Sequence, residues 1–212
     1  MKVDYVDHMG SDDAVVDAAR VSFAKQADNY KSDQNQRLLN YLAKHDHWSP
    51  FAHCMVKFRI KAPICVARQL AKHQVGFAWN EVSRRYVDDP PQYVLPDWRQ
   101  RSEDKKQGSA GPVSEDTWGK ADAAAVVVMD KAMRAYDELL ELGIAPEQAR
   151  YVLPQGVLTE WVWTGSLLGW LRVMKLRCAQ DTQEETRFIA NEIAGWVTHL
   201  FPMSVAAFHD PI

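Results

Sequence analysis

Thiol chemistry has little to work with in this sequence. Three cysteines, Cys54, Cys65 and Cys178, occur in 212 residues, and no two stand in a CxxC spacing. That pattern excludes a disulfide framework and the common zinc motifs, and reads as free thiols in a reducing, cytoplasmic protein. No GxGxxG occurs, which removes the dinucleotide-binding fingerprint. Basic excess is missing too: 25 Lys and Arg stand against 28 Asp and Glu, a net charge of −3. A general nucleic-acid binder draws its affinity from positive charge, so no nucleic-acid partner is expected. The longest uncharged apolar runs, such as "AAAVVVM", are too short to span a bilayer, so no membrane partner is expected either. The opening "MKVDYVDHMG" has no apolar segment of the kind a secretory signal needs. No internal repeat is present.

What is present suits a globular chain with a real core: 47% hydrophobic and 25% charged residues. Eight Trp are many for this length, and core packing is favoured over a surface for planar ligands. "KVDYVDH" alternates and predicts a strand. Gly10-Ser11 turns the chain, and Ser11 or Asp12 caps a helix over "DDAVVDAARVSF". "QNQRLLNYLAKH" predicts a second helix, and "AHCMVKFRIK" a strand. Pro63 is read as the first residue of a helix running through "ICVARQLAKHQ". Residues 87–117 are rich in Pro, Gly, Ser and charge, with a mobile polar loop expected at 99–113. A long helix is predicted over 114–142, ended by Gly143. A short helix "PEQARYVL", a strand "LTEWVWTG", and helices "SLLGWLRVMKLR" and "TQEETRFIANEIAGWVTHLF" complete the chain. Strands and helices mix without a βαβ rhythm, which predicts an α+β fold in one domain over 1–212.

The densest polar chemistry is "RQLAKHQVGFAWNEVSRRY", residues 68–86. On one continuous helix, Arg68 would stack with Lys72, and Gln69 with His73, away from Ile64, Ala67 and Leu70. A solvated helix face is one reading of this. Glu81, however, is the only acid among nineteen residues, and arginine forks, amides and a hydroxyl together suit phosphate and a polar heterocycle. His45, His47 and His53 form a second set. Asp46 is its only close carboxylate and Pro50 bends the chain, so a cofactor-lining or loop role is favoured and no metal is expected. Arg177 continues the stripe Leu167, Trp170, Met174. It is either a guanidinium reserved for a ligand or half of an ion pair with Asp181. Arg150 follows Glu147 by three, which allows a local ion pair.

Taken together, these residues resemble the flavin-dependent thymidylate synthases over most of the chain. The signature stands here as Lys72-His73-Gln74 followed by Asn80-Glu81-Val82-Ser83-Arg84-Arg85-Tyr86. "AARVSF", "HWSPFAH", "KAPICVARQ" and "ARYVLP…WTGSLLGWLRVMKLR" match in the same order. Where the family has an Arg-His-Arg run, this chain has Lys72 and Gln74, with one extra residue before Asn80. Ser166, Leu168 and Arg172 stand where the family more often has Asn, Arg and Asn.

The resemblance implies an α+β fold of mixed helices around a largely antiparallel sheet, and a homotetramer with sites at subunit interfaces. It implies FAD held by His47, Ser49, Lys72, His73, Gln74, Glu81, Ser166 and Arg172. dUMP is implied at Gln69, Ser83, Arg85, Arg150 and Arg177, with Arg177 against the uracil ring as the catalytic residue. The implied reaction converts dUMP to dTMP, with methylenetetrahydrofolate giving the carbon, NADPH reducing FAD, and no cysteine nucleophile. Two rivals follow from the altered run and the histidines: a nucleotide-binding homologue without redox activity, and a hydrolase or metal protein built on His45, His47 and His53.

Overall fold

The structure is a computed structural model that describes residues 1–87, 89–103 and 108–209. Its centre is an antiparallel sheet of four strands in the order β1-β2-β4-β3. The strands are β1 (Lys2–Met9), β2 (Met55–Pro63), β3 (Phe77–Glu81) and β4 (Leu158–Ser166). Strand β2 alternates as a half-buried strand must: Val56, Phe58, Ile60 and Ala62 point inward, Lys57, Arg59 and Lys61 outward. The register sets Phe58 opposite Trp163 and Ile60 opposite Trp161, so large side chains of two strands meet on the core face.

Helices α6 (Leu167–Arg177) and α7 (Glu184–Leu200) supply the other half of that core. Leu167, Trp170, Leu171 and Met174 from α6, and Ile189, Ile193 and Val197 from α7, are buried in it. Each such side chain contributes about 1.5–3 kcal/mol by leaving water. Trp161, Trp163 and Trp170 are fully buried, as the core reading of tryptophan expects, while Trp48 is 52% exposed.

The remaining helices are α1 (Asp12–Arg20), α2 (Ser32–Lys44), α3 (Ile64–Leu70), α4 (Glu115–Glu141), α5 (Pro146–Ala149) and α8 (Pro202–His209). Ser11 caps α1 as expected: its Oγ accepts from Ala14 N at 3.3 Å. The helix stops at Arg20, and Val21–Phe23 form a 3-10 turn instead of its continuation. Helix α4 ends where glycine was expected, with Gly143 at φ +81 in the left-handed region. Helix α5 stops at Ala149, and Arg150–Val152 tighten into a 3-10 turn. Helix α7 stops before Pro202, in line with the predicted end at Phe201, but the further helix α8 was not expected. Pro202 cannot continue α7, and Asp12 supplies the new cap, accepting from Met203 N at 2.8 Å and Ser204 N at 2.9 Å.

Two expectations around α3 need correction. Pro63 is the last residue of β2 and the cap of α3, not a helical residue. Helix α3 ends at Leu70, so Lys72 and His73 do not stack on Arg68 and Gln69. A turn through Gly76, at φ +80, sends the chain back as β3, which pairs with β4 and was not foreseen. Glycine at 165 permits this edge, because a Cβ there would overlap the Phe77 ring at Cε1. The polar loop expected at 99–113 is held at its base by a bridge between Arg99 and Pro112. Its residues 104–107 lie outside the described residues. Among the described residues, no helix is long and apolar enough to cross a membrane.

Candidate active site

Arg177 is the last residue of α6, half-buried, and its Nε donates to His73 Nε2 at 2.9 Å. The Asp181 partner allowed by the sequence is not the one it takes; the imidazole from the α3–β3 turn holds it instead. Burial, and then the Arg177 charge, push the His73 pKa below its ordinary value. His73 is therefore the neutral acceptor this bond needs. Its ring lies 6.4 Å from that of Trp163, on the edge of the buried aromatic cluster.

Gln69 and Arg177 line one cavity of about 440 Å³, with Arg99, Ser109, Asp181 and Gln183 also on its wall. Thr186 Oγ1 donates to Gln69 Oε1, which ties α3 to α7. The Gln69 amide nitrogen has no hydrogen bond to other described residues and stays available as a donor. A larger cavity of about 850 Å³ is lined by Lys61, Arg68, Glu81, Arg84, Arg150 and Tyr151 among others. Helix α3 serves both, giving Arg68 to the larger and Gln69 to the smaller. Glu81 is oriented by Thr159 Oγ1 at 2.7 Å and Trp79 Nε1 at 3.2 Å. Arg150 makes no pair with the Glu147 carboxylate; its Nε donates to the Glu147 carbonyl at 3.1 Å.

The other candidates sit outside these two cavities. Ser83 and Arg85 follow β3 in a turn, where Ser83 Oγ accepts from Arg85 N at 3.3 Å and Arg85 Nη2 donates to Tyr86 Oη at 2.6 Å. Lys72, Gln74 and Arg172 are exposed or nearly so. His47 and Ser49 are exposed in the connection from α2 to β2, where His47 lies 5.9 Å from the Tyr41 ring and 6.4 Å from His45. Among the described residues, no group of three or more His, Cys, Asp or Glu is arranged to hold a metal ion. Ser166 is buried and caps α6, its Oγ accepting from Gly169 N at 3.2 Å. Arg99 carried no signal in the sequence. It stands in a polar stretch with many charges, and its place beside Gln69 and Arg177 follows only from the folded loop.

Burial disfavours the thiolate form of all three cysteines. Burial pushes the Cys54 thiol up to about 11, and burial also raises Cys65 and Cys178.

The family described as Thymidylate synthase complementing protein matches residues 4–203. The chain belongs to this family. The flavin-dependent thymidylate synthase of Thermus thermophilus is 38% identical over 206 residues, covering 97% of this chain and 74% of its own. That of Thermosipho africanus is 36% identical over 204 residues, covering 96% and 88%. Among solved structures, the UMP/dUMP methylase PolB from Streptomyces cacaoi bound with 5-Br dUMP superposes with a TM-score of 0.89. It is 30% identical, with 98% of this chain and 94% of that one covered. The same methylase bound with 5-Br UMP gives a TM-score of 0.86. The α+β fold expected from the sequence is thus shared with a solved UMP/dUMP methylase.

Proposed function

We propose that this chain is a flavin-dependent thymidylate synthase that methylates C5 of dUMP. The observation that carries this reading is the cavity where Arg177, held by a neutral imidazole and without a carboxylate partner among the described residues, shares the wall with the Gln69 amide, whose nitrogen has no hydrogen bond to described residues. A pyrimidine edge offers carbonyl oxygens and N3–H to such donors, and its C5 becomes nucleophilic only as negative charge develops on the ring.

The residues also fit a flavin. The side chains of His47, Ser49, Lys72 and Gln74 make no hydrogen bonds to described residues, and His47 and Ser49 are exposed. Exposed Trp48, with the Tyr41 and His47 rings, adds aromatic surface. Donors for phosphate and ribose beside planar side chains are what an FAD needs. Lys72 gives a point charge where arginine would give a fork. When bound, reduced flavin supplies the hydride that turns a transferred methylene group into a methyl group.

The chain's own residues do the rest. Arg177 stabilises negative charge on the uracil as its C5 forms the bond to the folate-borne carbon. Gln69 fixes the base through its amide, and Ser83, Arg85 and Arg150 take the nucleotide phosphate. The overall balance is dUMP, methylenetetrahydrofolate, NADPH and a proton giving dTMP, tetrahydrofolate and NADP+. No thiolate is required, in keeping with the raised cysteine pKa values.

The candidate residues are divided between two cavities and exposed surface, which supports sites completed by further copies of the chain in a homotetramer. The long helix α4 carries exposed Val126, Val127 and Val128, apolar side chains that such an interface could cover in part. A second reading, a nucleotide-binding homologue without redox activity, is favoured by Lys72 and Gln74 in place of two arginines. One experiment separates them. The purified protein is incubated with FAD, NADPH, methylenetetrahydrofolate and either dUMP or UMP, with visible absorbance and nucleotide products followed together. A yellow protein that forms dTMP supports the synthase; a colourless one that binds dUMP and ignores flavin supports the homologue.

A further inference from the structure

The Arg177–His73 bond has a chemical peculiarity. An arginine that must be held in place is usually held by a carboxylate, which also neutralises it. Here Arg177 has no carboxylate oxygen within 4.0 Å among the described residues, although Asp181 lines the same cavity. Its one side-chain partner is an uncharged ring, and the bond uses Nε alone. Both terminal nitrogens of the guanidinium are thus left without a partner among the described residues. Its position at the C-terminal end of α6 adds a favourable interaction between its charge and the helix dipole.

We propose that His73 is a positioning residue for Arg177. It fixes the plane of the guanidinium through a neutral acceptor, so that the full positive charge and both terminal amino groups remain for the pyrimidine. This rests on the thymidylate synthase reading. It also goes beyond a cofactor-contact role for His73, because it assigns the imidazole a task toward another side chain. Accepting at Nε2 requires the Nδ1-protonated tautomer. An imidazolium has no acceptor and repels the guanidinium. The groups around His73 keep it neutral: Arg177 from α6 is the charge acting on it, and β4 faces it with the uncharged Trp163 ring. Lys72 precedes it in the chain and is exposed, and Asp181 lines the cavity that Arg177 faces.

The test compares wild type with His73→Ala and His73→Gln, the latter because an amide oxygen also accepts from Nε. Thymidylate formation is measured at saturating FAD, with flavin affinity measured separately. The expected result is a fall in kcat of about tenfold or more in His73→Ala. The dUMP KM should change less than about threefold, the loss should persist at saturating FAD, and His73→Gln should recover most of it. In wild type kcat falls as pH drops through the lowered His73 pKa, and His73→Gln lacks that limb.

An activity-free readout accompanies it: the Arg177 Nε–H signal in the NMR spectrum of the unliganded protein, assigned by its loss in Arg177→Lys. It should be protected from exchange in wild type and His73→Gln, and unprotected in His73→Ala. Unchanged kcat in His73→Ala, a deficit erased by more flavin, a His73→Gln as impaired as His73→Ala, or an unprotected Nε–H in wild type overturns the proposal. A wild type that forms no dTMP while its Nε–H is protected by His73 overturns the functional reading, and leaves the bond as a structural one.

Discussion

Arg99 Nη2 donates to Glu185 Oε1 at 2.5 Å, and its Nε lies 3.3 Å from Glu184 Oε2. The same guanidinium donates to Ser109 Oγ at 2.7 Å and to the Asp97 carbonyl at 3.1 Å. One half-buried side chain thus clasps the base of the polar loop to the start of α7, on the wall of the Arg177 cavity. Burial raises the Glu185 pKa, but hydrogen bonds from Arg99, its own backbone amide and Gln183, together with the Arg99 charge, outweigh this and hold it below the ordinary value. A depressed carboxyl pKa contributes stability that is present above the unfolded value and lost as pH falls through the folded one. Wild type should therefore lose stability below about pH 4.5, and Glu185→Gln should lose less over that range. Arg99→Ala should cost about 2 kcal/mol at neutral pH, the worth of a charge-assisted hydrogen bond. Urea unfolding at pH 7 and pH 4 measures both; equal acid sensitivity of wild type and Glu185→Gln would refute the assignment.

Replacing Cys54, Cys65 and Cys178 together by alanine should leave thymidylate formation within a few-fold of wild type. None carries a thiolate near neutral pH. The cost should appear in stability, about 1 kcal/mol for the fully buried Cys54, whose Sγ fills the space against Gly10. Thermal melts and turnover of the triple variant check this. Complete loss of turnover in a folded triple variant, restored with one thiol, would establish a covalent route.

Much of this arrangement was legible in the sequence, for identifiable reasons. β2 and β4 alternate strongly because one sheet face is buried, and α6 shows its core stripe as Leu167, Trp170 and Met174. Strand β3 was hidden because it is a short edge strand, five residues long, whose direction is set by the turn at Gly76 and by pairing with β4. Periodicity within "FAWNE" alone does not announce it. The partners of Arg177 and Arg150 were missed for a related reason. Helical spacing points to Asp181 and the Glu147 carboxylate, whereas the folded chain offers the imidazole of His73 and the Glu147 carbonyl. The Arg99 clasp joins residues 86 positions apart, a relation no local pattern encodes.

Gly165 is a sensitive point of the sheet. A Cβ there would overlap Phe77 Cε1, and one at Gly169 would meet the same ring at 2.8 Å. Phe77 cannot retreat easily, because Trp163 and Trp170 hold it at centroid distances of 4.9 and 4.8 Å. Gly165→Ala should therefore destabilise the fold by about 1–3 kcal/mol. It should also displace β3, and with it Glu81 on the cavity wall. The pair Gly165→Ala with Phe77→Leu should recover part of the loss, because the shorter side chain clears the new methyl group. Urea unfolding of the single and double variants tests this; a Gly165→Ala protein as stable as wild type would show that Phe77 has room to move.

Arg177 carries the sharpest prediction. Its charge stands at the end of a stripe whose other members are buried, and it is oriented by His73 without being neutralised. A donor aimed at charge that develops during reaction is worth about 3 kcal/mol, roughly a hundredfold in rate. Arg177→Ala should lower thymidylate formation by about that factor, while NADPH still reduces the flavin. Arg177→Lys should rescue poorly, because an ammonium cannot reproduce the planar fork or donate from Nε to His73 in the same geometry. Arg85→Ala should behave differently. Its guanidinium rests beside exposed Tyr86, and its loss should raise the dUMP KM with turnover retained at saturation. Rates and dUMP affinity of the three variants, with folding followed by circular dichroism, separate the two roles. Near-normal turnover in folded Arg177→Ala would reduce this residue to a helix-end contact and move the search for the activating group to the cations of the larger cavity.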